Sequence, residues 1–195
     1  MELTNIITDL ADALKAVDST RPIQGKFKPG IGPHKENIAR NLSLSYLQKQ
    51  VSTAFMYKHA STKKYPASSK MCDLVIPEKW AIELKLLRPF GDNDKEAEHW
   101  SSKIIHPYYG NKSAIGDMLK LLDSGFACRK AIILFAYEHS EPKIDQEITL
   151  KTFEMIASAC HQVILGQRIM EERRDLVHPT FAVLKVIGWE IINHK

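Results

Sequence analysis

The chain has 195 residues, 44% hydrophobic and 26% charged, enough for a sizeable core and ordinary for a globular protein. No apolar run approaches the roughly 18 residues that span a bilayer, which argues against a membrane protein. The net charge of +4 hides an asymmetry: residues 21–70 hold ten Lys or Arg against the single acid Glu36, a net +9 that leaves −5 for the remainder. Such a distribution suits a phosphate-binding face, and it also describes a solvated basic surface.

The first stretch, MELTNIITDLADALKAV, places Leu3, Ile6, Ile7, Leu10, Leu14 and Val17 at helical spacing. It carries three acids and no basic start, so an amphipathic helix over residues 1–20 is expected, not a signal peptide. STRPIQGKFKPGIGPH is rich in Gly and Pro and reads as loop. A second helix is expected from about Pro33, and a strand over 52–59, STAFMYKH. Residues 61–70, STKKYPASSK, read as a basic loop, followed by a hairpin at 71–88 and a long polar connection at 89–112. From Ser113 helical spacing returns through Ile115, Met118 and Leu122, with Gly125 as its stop. RKAIILFAYEH is a buried strand. A helix is expected over about 146–168, with Ile148, Phe153, Ile156, Cys160 and Ile164 as its apolar stripe, and FAVLKVIGWEII as a last strand. The sum is an α/β fold, one mixed sheet flanked by helices. The three cysteines lie far apart in apolar contexts, which favours neither disulfides nor a zinc site and points to a cytoplasmic protein.

The hairpin MCDLVIPEKWAIELKLL is the unusual element, because its apolar strands carry Asp73, Glu83 and Lys85. Side chains alternate along a strand, so Glu83 and Lys85 share a face opposite Ile82, Leu84 and Leu86. A three-residue turn at Pro77-Glu78-Lys79 would set Asp73 across from Glu83, with Cβ atoms about 4.5–5.5 Å apart. Two carboxylates so placed repel unless a cation offsets them. Magnesium, which is held by one or two carboxylates plus waters and phosphates, would do so. A structural ion pair with Lys85 on a solvated face is the competing reading.

Asp73, then nine intervening residues, then Glu83-Leu84-Lys85 on consecutive strands resembles the PD-(D/E)XK nuclease superfamily, the restriction-endonuclease-like fold. Met71-Cys72 stand where that family carries a proline. The resemblance implies a core at 33–138 within a single nuclease-like domain over 1–195, with residues 1–20 an additional helix. It implies magnesium, with manganese as substitute, on Asp73, Glu83 and the backbone carbonyl of Leu84. Lys85 would orient or help deprotonate the attacking water. Glu36 would be a further acid of the site, against the simpler reading of a helix-terminal glutamate paired with Arg40. Lys63, Lys64, Lys70, Lys35 and Arg40 are the expected DNA contacts.

The function so implied is a metal-dependent DNA endonuclease of restriction type, working as a homodimer and independent of any membrane. A junction-resolvase-like repair nuclease and a non-catalytic DNA-binding protein are the alternatives. Other patterns are weaker. Glu141-Pro142-Lys143 also matches E-x-K but lies in polar, loop-like surroundings. His106 with Asn111 lacks the context of an HNH nuclease, Tyr108 and Tyr109 are candidates for base stacking, and Ser113 with Asp117 reads as helix capping.

Overall fold

Helix α1 spans Leu3–Ser19 in the computed structural model, which describes residues 1–108 and 112–194. All six of its expected apolar positions are buried. It lies directly on the last strand, β7 (Val183–His194), because Gly188 leaves it room. A Cβ at Gly188 would stand 2.8 Å from Ile7 Cδ1. At the far end of α1, buried Asp18 accepts the backbone N–H groups of Ile31 (2.8 Å) and Val177 (2.7 Å), fixing two loops to the helix. Helix α2 (Glu36–Leu47) packs against α1.

The strand expected over 52–59 does not form. Those residues make a turn and the short helix α3 (Ala54–Tyr57). Side chains satisfy the turn locally: Thr53 donates to the Leu47 carbonyl and Gln48 to those of Tyr57 and Ala60. Phe55 points to solvent while Tyr57 is buried with its hydroxyl on Asp9. The strand lies instead in the segment read as loop, as β1 (Ser61–Lys64).

Strands β1, β2 (Met71–Ile76) and β3 (Trp80–Leu87) form an antiparallel meander. The long connection contains α4 (Ser102–Ile105) and leads to α5 (Ala114–Leu122). Strand β4 (Arg129–Glu138) then pairs parallel to β3 from Trp80↔Arg129 to Leu87↔Ala136. A parallel pair requires such a crossover. The helix expected over 146–168 stops early. Helix α6 (Glu147–Met155) loosens into one π turn at Ile156–Cys160, and strands β5 (Val163–Leu165) and β6 (Ile169–Arg173) follow. Gln162 takes a φ of +56°, which no helix tolerates. The buried stripe is accordingly Leu150, Phe153 and Ala157, and Ile148 is exposed.

The result is a mixed, open seven-stranded sheet in the order β1-β2-β3-β4-β7, with β5 and β6 sharing the outer edge of β7. Helices α1–α3 cover one face over Leu74, Ile76, Ile82 and Phe135. Helices α5 and α6 cover the other over Ala81, Ile132, Leu134 and Trp189. No helix among the described residues is long and apolar enough to cross a membrane.

Candidate active site

The hairpin turn is the expected three-residue one, closed by Lys79 N–H on the Ile76 carbonyl, with rungs Ile76↔Trp80, Val75↔Ala81 and Leu74↔Ile82. The ladder stops there. On its other edge β2 carries a bulge: Ser61 faces Val75, but two residues on, Lys63 faces Cys72. The alternation slips with it, so Cys72 joins the α5-side core although Leu74 and Ile76 belong to the α1 side. Asp73 sits in that slip, not on a rung opposite Glu83. A bulge of this kind re-aims a side chain.

Beyond the bulge, β2 no longer supplies backbone partners to β3, and carboxylates take them over. Asp73 Oδ2 accepts the Leu84 N–H (3.1 Å), and Glu36 Oε2 accepts the Leu86 N–H (2.9 Å). Two acids, one from a strand and one from the first turn of α2, thus stand in succession along one edge of β3. The carbonyl of Leu84 faces the same side as its N–H.

Glu83 and Lys85 project toward α5. Glu83 is buried, only 4% exposed, and its Oε1 accepts the Tyr65 hydroxyl. Lys85 Nζ lies 2.5 Å from Asp117 Oδ2 and 3.9 Å from Glu36 Oε1. Asp117 also binds Lys120 one turn along α5. Arg40 donates to Asp73 Oδ1 at 2.8 Å and to Asn41, so it is the partner of Asp73 and not of Glu36. Four carboxylates and three cations therefore share the end of the hairpin.

Burial and mutual repulsion govern their ionisation. Burial pushes the Glu83 carboxyl up to about 8, and the charges of Asp117 and Glu36 add to it. Glu36 is raised by burial and by Asp73, against the pull of Lys85. Asp73 is raised by burial, although the Leu84 N–H and Arg40 oppose that. Burial would lower Lys85, but Glu36 and Asp117 outweigh it and hold the ammonium above its ordinary value.

For a hard cation the donor set is small: the carboxylates of Asp73 and Glu83 and the Leu84 carbonyl. That chemistry fits magnesium, which keeps several waters and takes few protein ligands. It does not amount to an all-protein cage, since no group of three His, Cys, Asp or Glu among the described residues is disposed to hold a metal.

Lys35, Lys63, Lys64 and Lys70 are all exposed, whereas Arg40 is only 11% exposed and engaged by Asp73. Nothing in the sequence singles out Tyr65 or Lys120, and Asp117 reads there only as helix capping. Ser113 does cap α5, its hydroxyl accepting the Gly116 N–H (3.0 Å). Lys143 of the second E-x-K match pairs with Asp94. Tyr108 is exposed, and Tyr109 and Asn111 lie outside the described residues. No family model, curated protein or solved structure matches the chain.

Proposed function

We propose that the protein is a metal-dependent phosphodiesterase of the PD-(D/E)XK type acting on DNA, a restriction-type endonuclease in its simplest form. One observation carries the reading. The motif residues Asp73, Glu83 and Lys85 and the distant Glu36 converge at the end of one hairpin, in a core ordered helix, three-strand meander, helix and parallel strand. Asp73, Glu83 and the Leu84 carbonyl would hold magnesium, with manganese as substitute. A magnesium ion there supplies Lewis-acid polarisation and a more acidic water.

The chain's own groups do the rest. Lys85, kept protonated between Glu36 and Asp117, acts as a proton donor and charge neutraliser toward a phosphate oxygen, not as a base. Glu36, whose carboxyl is raised, is the group suited to take a proton from water. Arg40 holds Asp73 in place. The eight lysines of 21–70 are all exposed and make no ion pairs among the described residues, which leaves them available to phosphates.

A junction-resolvase-like nuclease remains the variant of this reading that differs only in substrate, and a homodimer would place two such sites on the two strands. A DNA-binding protein without chemistry is favoured by one observation, the ion pairs of Arg40 with Asp73 and of Lys85 with Asp117, which offset carboxylate charge without a metal. Incubation with supercoiled, linear, single-stranded and four-way-junction DNA, with magnesium or with EDTA, separates these. Magnesium-dependent cleavage that Glu83→Gln abolishes is expected. Binding without cleavage of any substrate would leave the DNA-binding reading.

A further inference from the structure

Beside the carboxylate cluster, past the end of β3, lies a cavity of about 520 Å³. Arg88 stands in its wall three residues beyond Lys85, about 10 Å along the strand. Its guanidinium is spent on backbone alone: Nη1 donates to the Gly32 carbonyl (2.7 Å) and the His34 carbonyl (3.3 Å). It stands over the Phe181 ring at 5.9 Å and makes no ion pair among the described residues. A half-buried guanidinium without a carboxylate is an anion site in waiting. Burial lowers its proton affinity, against the opposing influence of Tyr137 and Glu36.

The cavity's other cations, Lys26 and Lys103, are exposed and also make no ion pairs among the described residues. The one acid in its lining, Asp92, is already engaged: its Oδ1 accepts the Lys28 N–H (3.1 Å) and meets His178 Nε2 (2.7 Å). Because His178 Nδ1 accepts the Thr180 N–H, Nε2 is the protonated nitrogen and donates to Asp92. The rest of the lining mixes three rings, Phe27, Phe90 and Phe181, with small and polar residues, and Phe27 is 37% exposed at the rim. Cations facing aromatic rings suit a ligand with a phosphate at one end and a flat ring at the other.

We propose that this cavity receives one nucleotide of the bound strand, unstacked from its neighbours, with its phosphate on Arg88, Lys26 and Lys103 and its base against Phe27 and Phe90. The inference rests on the nucleic-acid reading above but not on cleavage. The separation of about 10 Å from Lys85 leaves the cavity within reach of a neighbouring nucleotide of the same strand. The cavity would hold a nucleotide near the reacting phosphate, not the reacting one.

Calorimetric titration of the metal-free protein with a deoxynucleoside 5′-monophosphate, the free nucleoside and inorganic phosphate tests it. The monophosphate is expected to bind at least about tenfold more tightly than either fragment, since stacking and charge act together. Arg88→Gln should abolish the preference for monophosphate over nucleoside. Phe27→Ala should weaken the monophosphate about tenfold and leave phosphate unchanged. Should Arg88→Gln fail to fold, because it anchors the Gly32 and His34 carbonyls, Lys103→Gln and Phe27→Ala carry the test. Equal affinity for nucleoside and monophosphate, or unchanged binding in both of those variants, would overturn the inference. A protein that binds the mononucleotide but cleaves no DNA refutes the catalytic reading alone. One that cleaves DNA and ignores the mononucleotide refutes this inference alone.

Discussion

Glu83 carries the largest electrostatic liability of the site, and its sign can be worked out. A carboxyl raised from the ordinary 4.5 to about 8 keeps its proton in the folded chain while the unfolded chain has lost it. Stability is then fully present below the unfolded value and falls as pH rises toward 8, by up to several kcal/mol. Melting temperature of the metal-free protein should therefore drop between weakly acidic and weakly basic pH. Glu83→Gln should flatten most of that slope, leaving the smaller share due to Asp73 and Glu36, which are raised in the same direction. Because a metal displaces the proton, magnesium should raise the melting temperature more on the basic side than on the acidic side. A flat profile in the wild type would mean that Glu83 is ionised in the folded protein without help. Glu36 permits a cleaner substitution. In Glu36→Gln the amide oxygen can still accept the Leu86 N–H, so the melt should hardly move. Cleavage should fall by orders of magnitude, with partial recovery in manganese. Full activity at low magnesium would reduce Glu36 to a backbone cap of β3.

At the scale of elements, what the sequence disclosed followed from contrast. Charges inside apolar strands stand out, so Asp73, Glu83 and Lys85 were legible, as were the three-residue turn and the α1 stripe. Asp117 was not, because an acid in a helix's first turn already has a sufficient local reason, the exposed N–H groups there. Only the packing of α5 on β3 shows that this acid meets Lys85. Tyr65 was hidden in the same way among the lysines of a polar segment. The bulge at Asp73 leaves no mark in composition, since it is a property of pairing with β1. Strand β5 was absorbed into the α6 pattern because Ile164 continues the 3.6-residue spacing past the point where Gln162 turns the chain. The link between Asp117 and Glu83 yields a test. Asp117 is the strongest of the neighbouring charges that raise Glu83, so Asp117→Asn should let Glu83 ionise at lower pH. Magnesium should then bind the variant more tightly than wild type on the acid side of neutrality, as read from the thermal shift. Equal shifts in the two proteins would separate Asp117 from the metal site.

Across the whole molecule the basic segment and the carboxylate cluster are joined by one short loop. Tyr65 reaches Glu83 with its hydroxyl, and its own N–H closes the loop on the Lys70 carbonyl (2.9 Å). Lys63 and Lys64 precede it on β1, the edge strand of the sheet. Lysines on an edge strand have a second explanation, since they discourage edge-to-edge aggregation, and the two roles part on salt dependence. Adjacent strand residues point to opposite faces, so only one of Lys63 and Lys64 can lie on the side of a bound duplex, together with Lys70. Replacing all three with Gln should flatten the slope of log affinity against log salt by about two, at roughly 0.9 for each phosphate no longer neutralised. The weakening should be alike for unrelated sequences, because lysines on phosphates carry no base information. A slope identical to wild type would assign these lysines to edge protection and move the DNA to another face. A drop of about three would mean that β1 twists enough to turn both strand lysines toward one groove.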